Sequence, residues 1–486
     1  GPHLGNAWNY YVTNGRLDEA IDLAALPLSG DERSKLAHLA LVKKTLEFTD
    51  DHSRVAGYLL NNLARGMLSN PSGYEAANEH LQNALKIADA HDDLNLRATL
   101  LRSLVENRHF HGVKSDEDAE LLESAMESAR TANAPGIEAD CARGATYLAL
   151  QRGDGPAAVR FGEQAVGAAE RSRQRNTLVQ CLASHGAAYE AVANWEGFFS
   201  VVNRSLELDP ENSAVLAQKI RIEEILGRSA DVDRHLAKLS EISNNKHAEH
   251  FDQVNFAGVL ATTSDRKPEY IARALSLARR QAQRTDVPKR VIAQAYGIIG
   301  LLGYATGSSE LAQKALEFTE NNPETLLGDP VAEFHHGLVL TMLGRIDEGI
   351  ETIGRLHQQF EPALFPAQST HFSILLARAL ASRSTSEDIQ QANDLLNTTE
   401  DSIRKHQLHG LTIRVLAVRK LLAEITGKTR RADGLTKREL EILSLVATGR
   451  NNPEIAEELF ISRHTVVSHL SNIFEKIDVE NRAQAA

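Results

Sequence analysis

The side chains with the clearest chemical pattern lie near the C-terminus, in the run Arg463-His464-Thr465-Val466-Val467-Ser468-His469-Leu470-Ser471-Asn472-Ile473. Val466, Leu470 and Ile473 recur at spacings of four and three residues, which predicts the buried side of an amphipathic helix. The opposite side then carries three hydroxyl groups and one valine, which are Thr465, Val467, Ser468 and Ser471. Hydroxyl groups donate and accept hydrogen bonds, and an outward valine has no packing partner in its own helix. This side therefore offers hydrogen bonds and one apolar contact to another molecule.

Two shorter helices are predicted immediately upstream, and they would position this one. Thr436 followed by Glu439 has the spacing of a capping box, so a helix begins there. Gly449 can end that helix in a left-handed conformation. Asn452 followed by Pro453 predicts the N-cap and the first position of a second helix.

A tight turn at Ile461-Ser462 separates the second helix from the third, and the Ser462 hydroxyl can cap the third helix. Two short helices joined by a few residues, the second of them amphipathic and rich in small polar groups, form a helix-turn-helix. In that motif the second helix lies in the major groove of DNA.

Three segments of this region resemble the LuxR-type DNA-binding domain. They are Leu435-Thr436-Lys437-Arg438-Glu439, Asn452-Pro453-Glu454-Ile455-Ala456 and Ile461-Ser462-Arg463-His464-Thr465-Val466. The resemblance covers residues 435–486 and implies a small four-helix domain whose helix from Arg463 to about Lys476 enters the major groove. It also implies that side chains of that helix contact double-stranded DNA, namely Arg463, His464, Thr465, Val467, Ser468, Ser471 and Asn472.

The sequence departs from the family pattern at positions where relatives often carry lysine. Pro453 and Val467 have no charge to place against phosphate, and Ser471 can donate a hydrogen bond but is uncharged. From Arg430 to Ala486 there are eight Lys and Arg against nine Asp and Glu, so the net charge of the domain is −1. Because DNA affinity depends largely on phosphate neutralisation, we expect weak binding by one copy and a homodimer on DNA. Val467 favours a thymine methyl group over a guanine edge.

The composition of the whole chain is that of a soluble globular protein, with 486 residues, 42% hydrophobic and 24% charged. The net charge of the chain is −12, and subtracting the −1 of the C-terminal domain leaves −11 for the residues upstream. We therefore expect the upstream part to repel nucleic acid. Two cysteines, Cys141 and Cys181, suit small core positions in a reducing cytoplasm. No apolar run approaches the roughly 20 residues of a membrane span, and no signal peptide is visible. The chain begins Gly1-Pro2 without methionine, as expected after protease cleavage.

Upstream of residue 427 the sequence repeats a helix hairpin that turns at a glycine. The repeated segments include Gly15-Arg16-Leu17-Asp18-Glu19-Ala20, Gly73-Tyr74-Glu75-Ala76-Ala77, Gly153-Asp154 and Leu343-Gly344-Arg345-Ile346-Asp347-Glu348-Gly349. They resemble the tetratricopeptide repeat, a hairpin of about 34 residues whose neighbours must stack to bury their apolar sides. The sequence thus predicts an all-α chain with about ten hairpins. The tetratricopeptide-like α-solenoid occupies residues 1–426, a linker 427–434, and the LuxR-type helix-turn-helix domain 435–486. An irregular helical bundle is the alternative to the solenoid.

Several segments resemble catalytic or ligand sites without meeting their requirements. Gly427-Lys428-Thr429 ends like a phosphate-binding loop, but Leu422 occupies the place of the required glycine and a helix precedes it. The pairs His109/His111 and His335/His336 have side chains that diverge on a helix, so we expect no metal site. No nucleophile or carboxylate pair has catalytic spacing, so we expect neither an enzyme nor a cofactor.

The two regions together resemble the MalT-like branch of large LuxR-type regulators, in which a nucleotide-binding module precedes the repeats. Whether such a module precedes this chain in the native protein stays open. The resemblance implies a transcription regulator whose repeats bind an inducer, either a small molecule or a peptide or protein, and control DNA binding or self-association. Polar residues within apolar helices are the candidate groove contacts, namely Asn62, Asn107, Asn255 and His336. The alternative is an interaction adaptor whose helix-turn-helix no longer binds DNA.

Overall fold

The computed structural model describes residues 2–26, 32–68, 73–111, 113, 115–245, 250–263, 267–285, 287, 289–326, 330–360, 365–426, 435, 437–459, 461–477, 479 and 482. Across these ranges the regular secondary structure is helical, and no residue in them forms a strand. The all-α prediction is confirmed. None of the helices in these ranges combines the length and the apolar composition that a membrane crossing requires.

The first ten helices cover the N-terminal part of the chain. They are α1 (Pro2–Thr13), α2 (Leu17–Ala25), α3 (Glu32–Leu46), α4 (Arg54–Met67), α5 (Tyr74–Ala90), α6 (Leu94–Phe110), α7 (Asp118–Thr131), α8 (Pro135–Arg152), α9 (Gly155–Ser172) and α10 (Arg175–Ala191).

Fifteen more α-helices follow in the described ranges. They are α11 (Trp195–Leu208), α12 (Ser213–Ile225), α13 (Ser229–Asn244), α14 (His250–Thr262), α15 (Pro268–Ala282), α16 (Lys289–Thr306), α17 (Ser309–Asn321), α18 (Pro330–Met342), α19 (Ile346–Gln359), α20 (Pro366–Arg383), α21 (Ser386–His406), α22 (Thr412–Ile425), α23 (Lys437–Ala447), α24 (Asn452–Glu458) and α25 (Arg463–Lys476). Short 3₁₀ helices lie at Pro323–Thr325 and His409–Leu411.

Successive helices form the predicted hairpins, and the turn between α8 and α9 shows why. Gly153 ends α8 with φ 78°, a left-handed conformation that glycine adopts without a Cβ clash. The side chain of Asp154 then caps α9 by accepting a hydrogen bond from the Ala157 N–H at 2.9 Å. Gly15 and Gly344 also have positive φ, as expected of turn glycines. Gly73 differs from the expectation, because its φ is −85° and it is the N-cap of α5.

Neighbouring hairpins stack through their first helices. In the N-terminal half α4 packs against α6, and α6 packs against α8. The contacts are close because small side chains face each other: the Cys141 thiol of α8 lies 3.8 Å from the Ala98 carbonyl oxygen of α6. Cys141 and Cys181 are both fully buried, which confirms their predicted core positions. Burial raises the pKa of each thiol to about 12.

The described chain divides into two compact units. The first contains Gly1–Ala188, Arg284–Ile292 and Asn322–Asp329, and the second contains Tyr189–Gln283, Ala293–Asn321 and Pro330–Ala486. Helices α23 to α25 therefore belong to the second unit. Within that unit, Leu416 of α22 lies in the same hydrophobic cluster as Leu435 and Ile442. The predicted linker at 427–434 lies outside the described residues, and the predicted three-part division of the chain stays a prediction.

Candidate nucleic-acid interface

Helix α23 ends as predicted, and an ion pair joins its first turn to α25. Gly449 has φ 81°, and the next N–H, that of Arg450, donates to the Leu445 carbonyl at 3.0 Å. Thr436, the predicted partner in the capping box, lies outside the described residues. Glu439 is buried, and both of its carboxylate oxygens accept hydrogen bonds from Lys476 Nζ at 2.8 Å. This ion pair joins α23 to the end of α25.

The N-cap of α24 is Asn451, so the predicted cap at Asn452 is wrong by one residue. Asn451 Oδ1 accepts a hydrogen bond from the Glu454 N–H at 3.0 Å, and Glu454 Oε2 accepts one from the Asn451 N–H at 2.7 Å. This reciprocal pair is a capping box, which only an N-cap three residues before Glu454 can form. Asn452 instead accepts a hydrogen bond from Arg482 at 2.7 Å.

Helix α25 begins at the predicted cap. The Ser462 hydroxyl accepts a hydrogen bond from the Thr465 N–H at 3.0 Å. The hydroxyl groups of Ser462 and Thr465 also lie 2.7 Å apart and are hydrogen-bonded to each other. Thr465 is therefore half-buried against the cap, and its hydroxyl is already engaged. Its side chain faces outward less than the sequence pattern predicted.

One side of α25 packs into the core that it shares with α23 and α24. Val466 and Ile473 are 0% exposed and Leu470 is 5% exposed. The cluster includes Leu443, Val446 and Ile455 from the two preceding helices. The inward positions of Val466, Leu470 and Ile473 are confirmed, and they fix the rotation of the helix about its axis.

The other side of α25 is open to solvent. Val467 is 48% exposed and is one of several large apolar side chains that are exposed among the described residues. The remaining exposed members of the predicted contact set are Arg463, His464, Ser468, Ser471 and Asn472. The helix thus presents hydroxyl, amide and imidazole groups around one exposed valine. Their contact with DNA stays a prediction.

Most of the described basic side chains in the helix-turn-helix region are paired with carboxylates. Arg438 Nη1 lies 2.9 Å from a Glu441 carboxylate oxygen, and Arg450 Nε lies 3.6 Å from one of Glu458. Among the described residues, no carboxylate oxygen lies within 4.0 Å of Arg463. Lys476, at the other end of α25, is paired with Glu439. The surface is polar but carries little net positive charge.

The asparagines predicted for the repeat groove are buried in the first unit. Asn62 is 2% exposed, and its amide N–H groups donate to the carbonyls of Ala24 at 3.3 Å and Leu26 at 2.8 Å. It therefore caps the C-terminal end of α2. Asn107 is 0% exposed and donates to the Tyr74 carbonyl at 3.3 Å. Both side chains have structural partners, and their contact with a ligand stays a prediction.

The two candidates of the second unit are half-buried. Asn255 Nδ2 donates to the Ser213 hydroxyl at 3.0 Å. His336 Nδ1 lies 3.0 Å from the Thr319 hydroxyl. Burial and the nearby Arg345 lower the pKa of His336. Both side chains have structural partners, and a role in ligand contact stays a prediction.

Residues 433–486 match the family described as bacterial regulatory proteins of the luxR family. LiaR, a transcriptional regulatory protein of Bacillus subtilis, is 59% identical over 54 residues, which are 11% of this chain and 26% of LiaR. The CsgBAC operon transcriptional regulatory protein of Escherichia coli is 57% identical over 51 residues, or 10% and 24% of the two chains. The C-terminal region is therefore a LuxR-type helix-turn-helix. This chain spans about a quarter of the length of either relative.

Solved structures similar to the chain are helical repeat proteins of low sequence identity. The Cut9–Hcn1 tetramer of the APC/C matches with a TM-score of 0.41 at 14% identity, covering 86% of each chain. A Rap protein complexed with competence and sporulation factor matches with a TM-score of 0.38 at 13% identity, covering 77% of this chain and 100% of that one. These similarities are too low to transfer any function.

Proposed function

We propose that this chain is a transcription regulator that binds double-stranded DNA through the exposed side of α25. Its repeat region senses an inducer, and that binding controls DNA binding or self-association. The observation that carries the proposal is the open, polar side of α25, with Val467 at its centre, in a region that matches the luxR family.

The exposed groups suit contact with base edges in the major groove. Ser468, Ser471 and Asn472 supply hydroxyl and amide groups that hydrogen-bond bases or phosphates. The methyl groups of Val467 would contact a thymine methyl group. Arg463, at the first turn of the helix, would contact a phosphate. Arg463 is the one member of this set with the guanidinium group by which arginine recognises guanine through paired hydrogen bonds.

Weak electrostatics favour binding as a homodimer. The domain has a net charge of −1, so a single copy neutralises few phosphates. Two copies on one DNA molecule would double the contacts, with half-sites about 34 Å or one helical turn apart. A palindromic target site follows from that symmetry. A regulator of this type acts on DNA in the cytoplasm.

The test is selection of bound sequences from a random pool of duplex DNA by the full chain, followed by fluorescence anisotropy over a salt series. We expect an enriched site with two related halves, and an affinity that falls steeply as salt increases. An unenriched pool and no salt-dependent binding at low ionic strength would contradict the proposal. Mass spectrometry of small molecules and peptides that co-purify with the chain tests the sensing part separately.

The paired basic residues favour a second candidate, an interaction adaptor. Arg438, Arg450 and Lys476 each have a carboxylate partner, which reduces the charge available to phosphate. In an adaptor the exposed side of α25 would contact a protein instead of DNA. Two results together would assign the adaptor function: no DNA sequence is selected, and only a protein partner protects the exposed side of α25.

A further inference from the structure

Three arginines occupy one face of the repeat region within the first unit. Arg65 lies on α4, Arg102 on α6 and Arg143 on α8, the first helices of three consecutive hairpins. These helices pack side by side, α4 against α6 and α6 against α8. A Cβ atom at Gly144 of α8 would lie 3.9 Å from Arg102 Cγ, and the charges of Arg102 and Arg143 both act on Arg65. We name this surface, defined by Arg65, Arg102 and Arg143, the arginine face.

Two carboxylates lie on the same face and do not balance the three guanidinium charges. Glu106 accepts a hydrogen bond from Arg102 at 3.1 Å, and Asp140 accepts one from Arg143 at 3.3 Å. Arg65 Nε is 3.9 Å from the Glu106 carboxylate, too far for a hydrogen bond. Three positive and two negative charges leave the arginine face with a net charge of +1. The surplus belongs to Arg65, whose neighbour Glu106 is already bonded to Arg102.

The guanidinium groups are partly shielded from water, and some of their donors have no acceptor. The side chains of Arg65, Arg102 and Arg143 are 28%, 14% and 25% exposed. Within the described residues, the Nε donors of Arg65 and Arg143 are buried without a hydrogen-bond partner. Burial lowers the pKa of Arg65, and the like charge of Arg102 lowers it further. An anion placed here would relieve that repulsion, and shielding from water would strengthen its attraction.

We infer that the arginine face binds an oxyanion, a phosphate or carboxylate group, carried by the inducer. Guanidinium groups hold such oxyanions through paired, charge-assisted hydrogen bonds. The ring of Tyr147, 44% exposed and with its centroid 6.0 Å from the Arg143 guanidinium carbon, offers an apolar surface for the rest of the ligand. The inference rests on the proposed sensing function, because it assigns the chemical class of the sensed molecule.

The experiment is isothermal titration calorimetry of the full chain with two probes, inorganic pyrophosphate and citrate, at constant ionic strength. Binding of pyrophosphate alone identifies a phosphate site, binding of citrate alone a carboxylate site, and binding of both a general oxyanion site; each supports the inference. We expect Arg102→Gln to lower the affinity for whichever probe binds at least tenfold, equivalent to about 1.4 kcal/mol. Arg97→Gln is the matched control, because Arg97 lies on the same helix but pairs with Asp89. It should leave the affinity within twofold.

A second variant distinguishes loss of the binding site from loss of the fold. Glu106→Gln removes a negative charge without removing a guanidinium group, so it should strengthen binding of the probe at least threefold. The melting temperature of each variant shows that the fold is retained. Failure of both probes to bind the parent chain would overturn the inference, as would equal losses in Arg102→Gln and Arg97→Gln or no gain in Glu106→Gln. DNA binding by the same preparation separates these outcomes from failure of the proposed function.

Discussion

Polar side chains have different positions in the two regions predicted to bind other molecules. On α25 they lie around Val467 and face solvent, whereas Asn62 and Asn107 of the first unit are buried and bonded to backbone carbonyls. The sequence pattern is similar in both cases, since polar residues interrupt apolar helices. Such a residue contributes to stability when a carbonyl of another helix lies within reach, and is free for binding when none does. Substituting a residue of the first kind should lower the free energy of unfolding, and substituting one of the second kind should lower the affinity for DNA.

The largest effect is expected for Val467→Glu. A carboxylate at this exposed position would face DNA phosphates, so we expect the affinity for a selected site to fall at least a hundredfold, or about 2.7 kcal/mol. The free energy of unfolding should change by no more than about 0.5 kcal/mol, because exposed substitutions rarely cost more. Anisotropy and thermal unfolding measure the two quantities. An unfolded domain would show that Val467 belongs to the core.

Asn62→Ala should have the opposite profile. The substitution leaves the carbonyls of Ala24 and Leu26 without their buried donor, so it should destabilise the chain by about 2 kcal/mol. DNA affinity should stay unchanged at a temperature where the variant is folded. Asn255→Ala is the control, because Asn255 is half-buried and has a side-chain hydroxyl as its partner, and it should cost about 1 kcal/mol or less. If chemical denaturation shows Asn62→Ala to be as stable as the parent, the asparagine is not structural.

Acid should destabilise the first unit through His185. Burial lowers the pKa of this 4% exposed side chain to about 4, from about 6.5 in the unfolded chain. Below pH 6.5 the unfolded chain binds a proton that the folded chain does not, so stability falls with pH until about pH 4. Between pH 7.5 and 5.5 the loss due to His185 should be about 1 kcal/mol. Urea unfolding of the parent and of His185→Gln at both pH values measures it, and an equal pH dependence in the two proteins would assign the loss to other groups.

The smallest effect is expected for Val467→Lys. An added positive charge should raise non-specific DNA affinity about threefold and steepen the salt dependence by roughly one phosphate contact. Stability should again stay within about 0.5 kcal/mol of the parent. The same salt series used for the parent measures the slope. A slope equal to that of the parent would place Val467 away from the phosphates.

Local patterns in the sequence were sufficient for the helix-turn-helix, because its helices are determined by caps and spacings within a few residues. Helix α25 was predicted from Arg463 to about Lys476, and it covers Arg463–Lys476. The cap of α24 was misplaced at Asn452 because two asparagines compete there. The spacing of Asn451 and Glu454, which permits a capping box, was the signal that could have identified it.

The partners of buried polar residues could not be predicted in the same way. Asn62 bonds to Leu26, 36 residues earlier in the chain, and no local pattern links the two. The arginine face has the same origin, since it combines side chains from three hairpins whose register depends on how the helices pack. Sequence periodicity predicts that the hairpins stack, but not which polar residues meet.

The most direct test of the central proposal is thiol protection on α25. Ser468→Cys places a thiol on the exposed side, and Ser444→Cys places a matched one on the exposed surface of α23. The native Cys141 and Cys181 are buried with thiol pKa values raised to about 12, so their background reaction with a maleimide should be slow. We predict that the selected DNA site slows modification at residue 468 at least tenfold and leaves the rate at residue 444 unchanged. Equal rates at residue 468 with and without DNA would contradict the proposal that this side of α25 binds DNA.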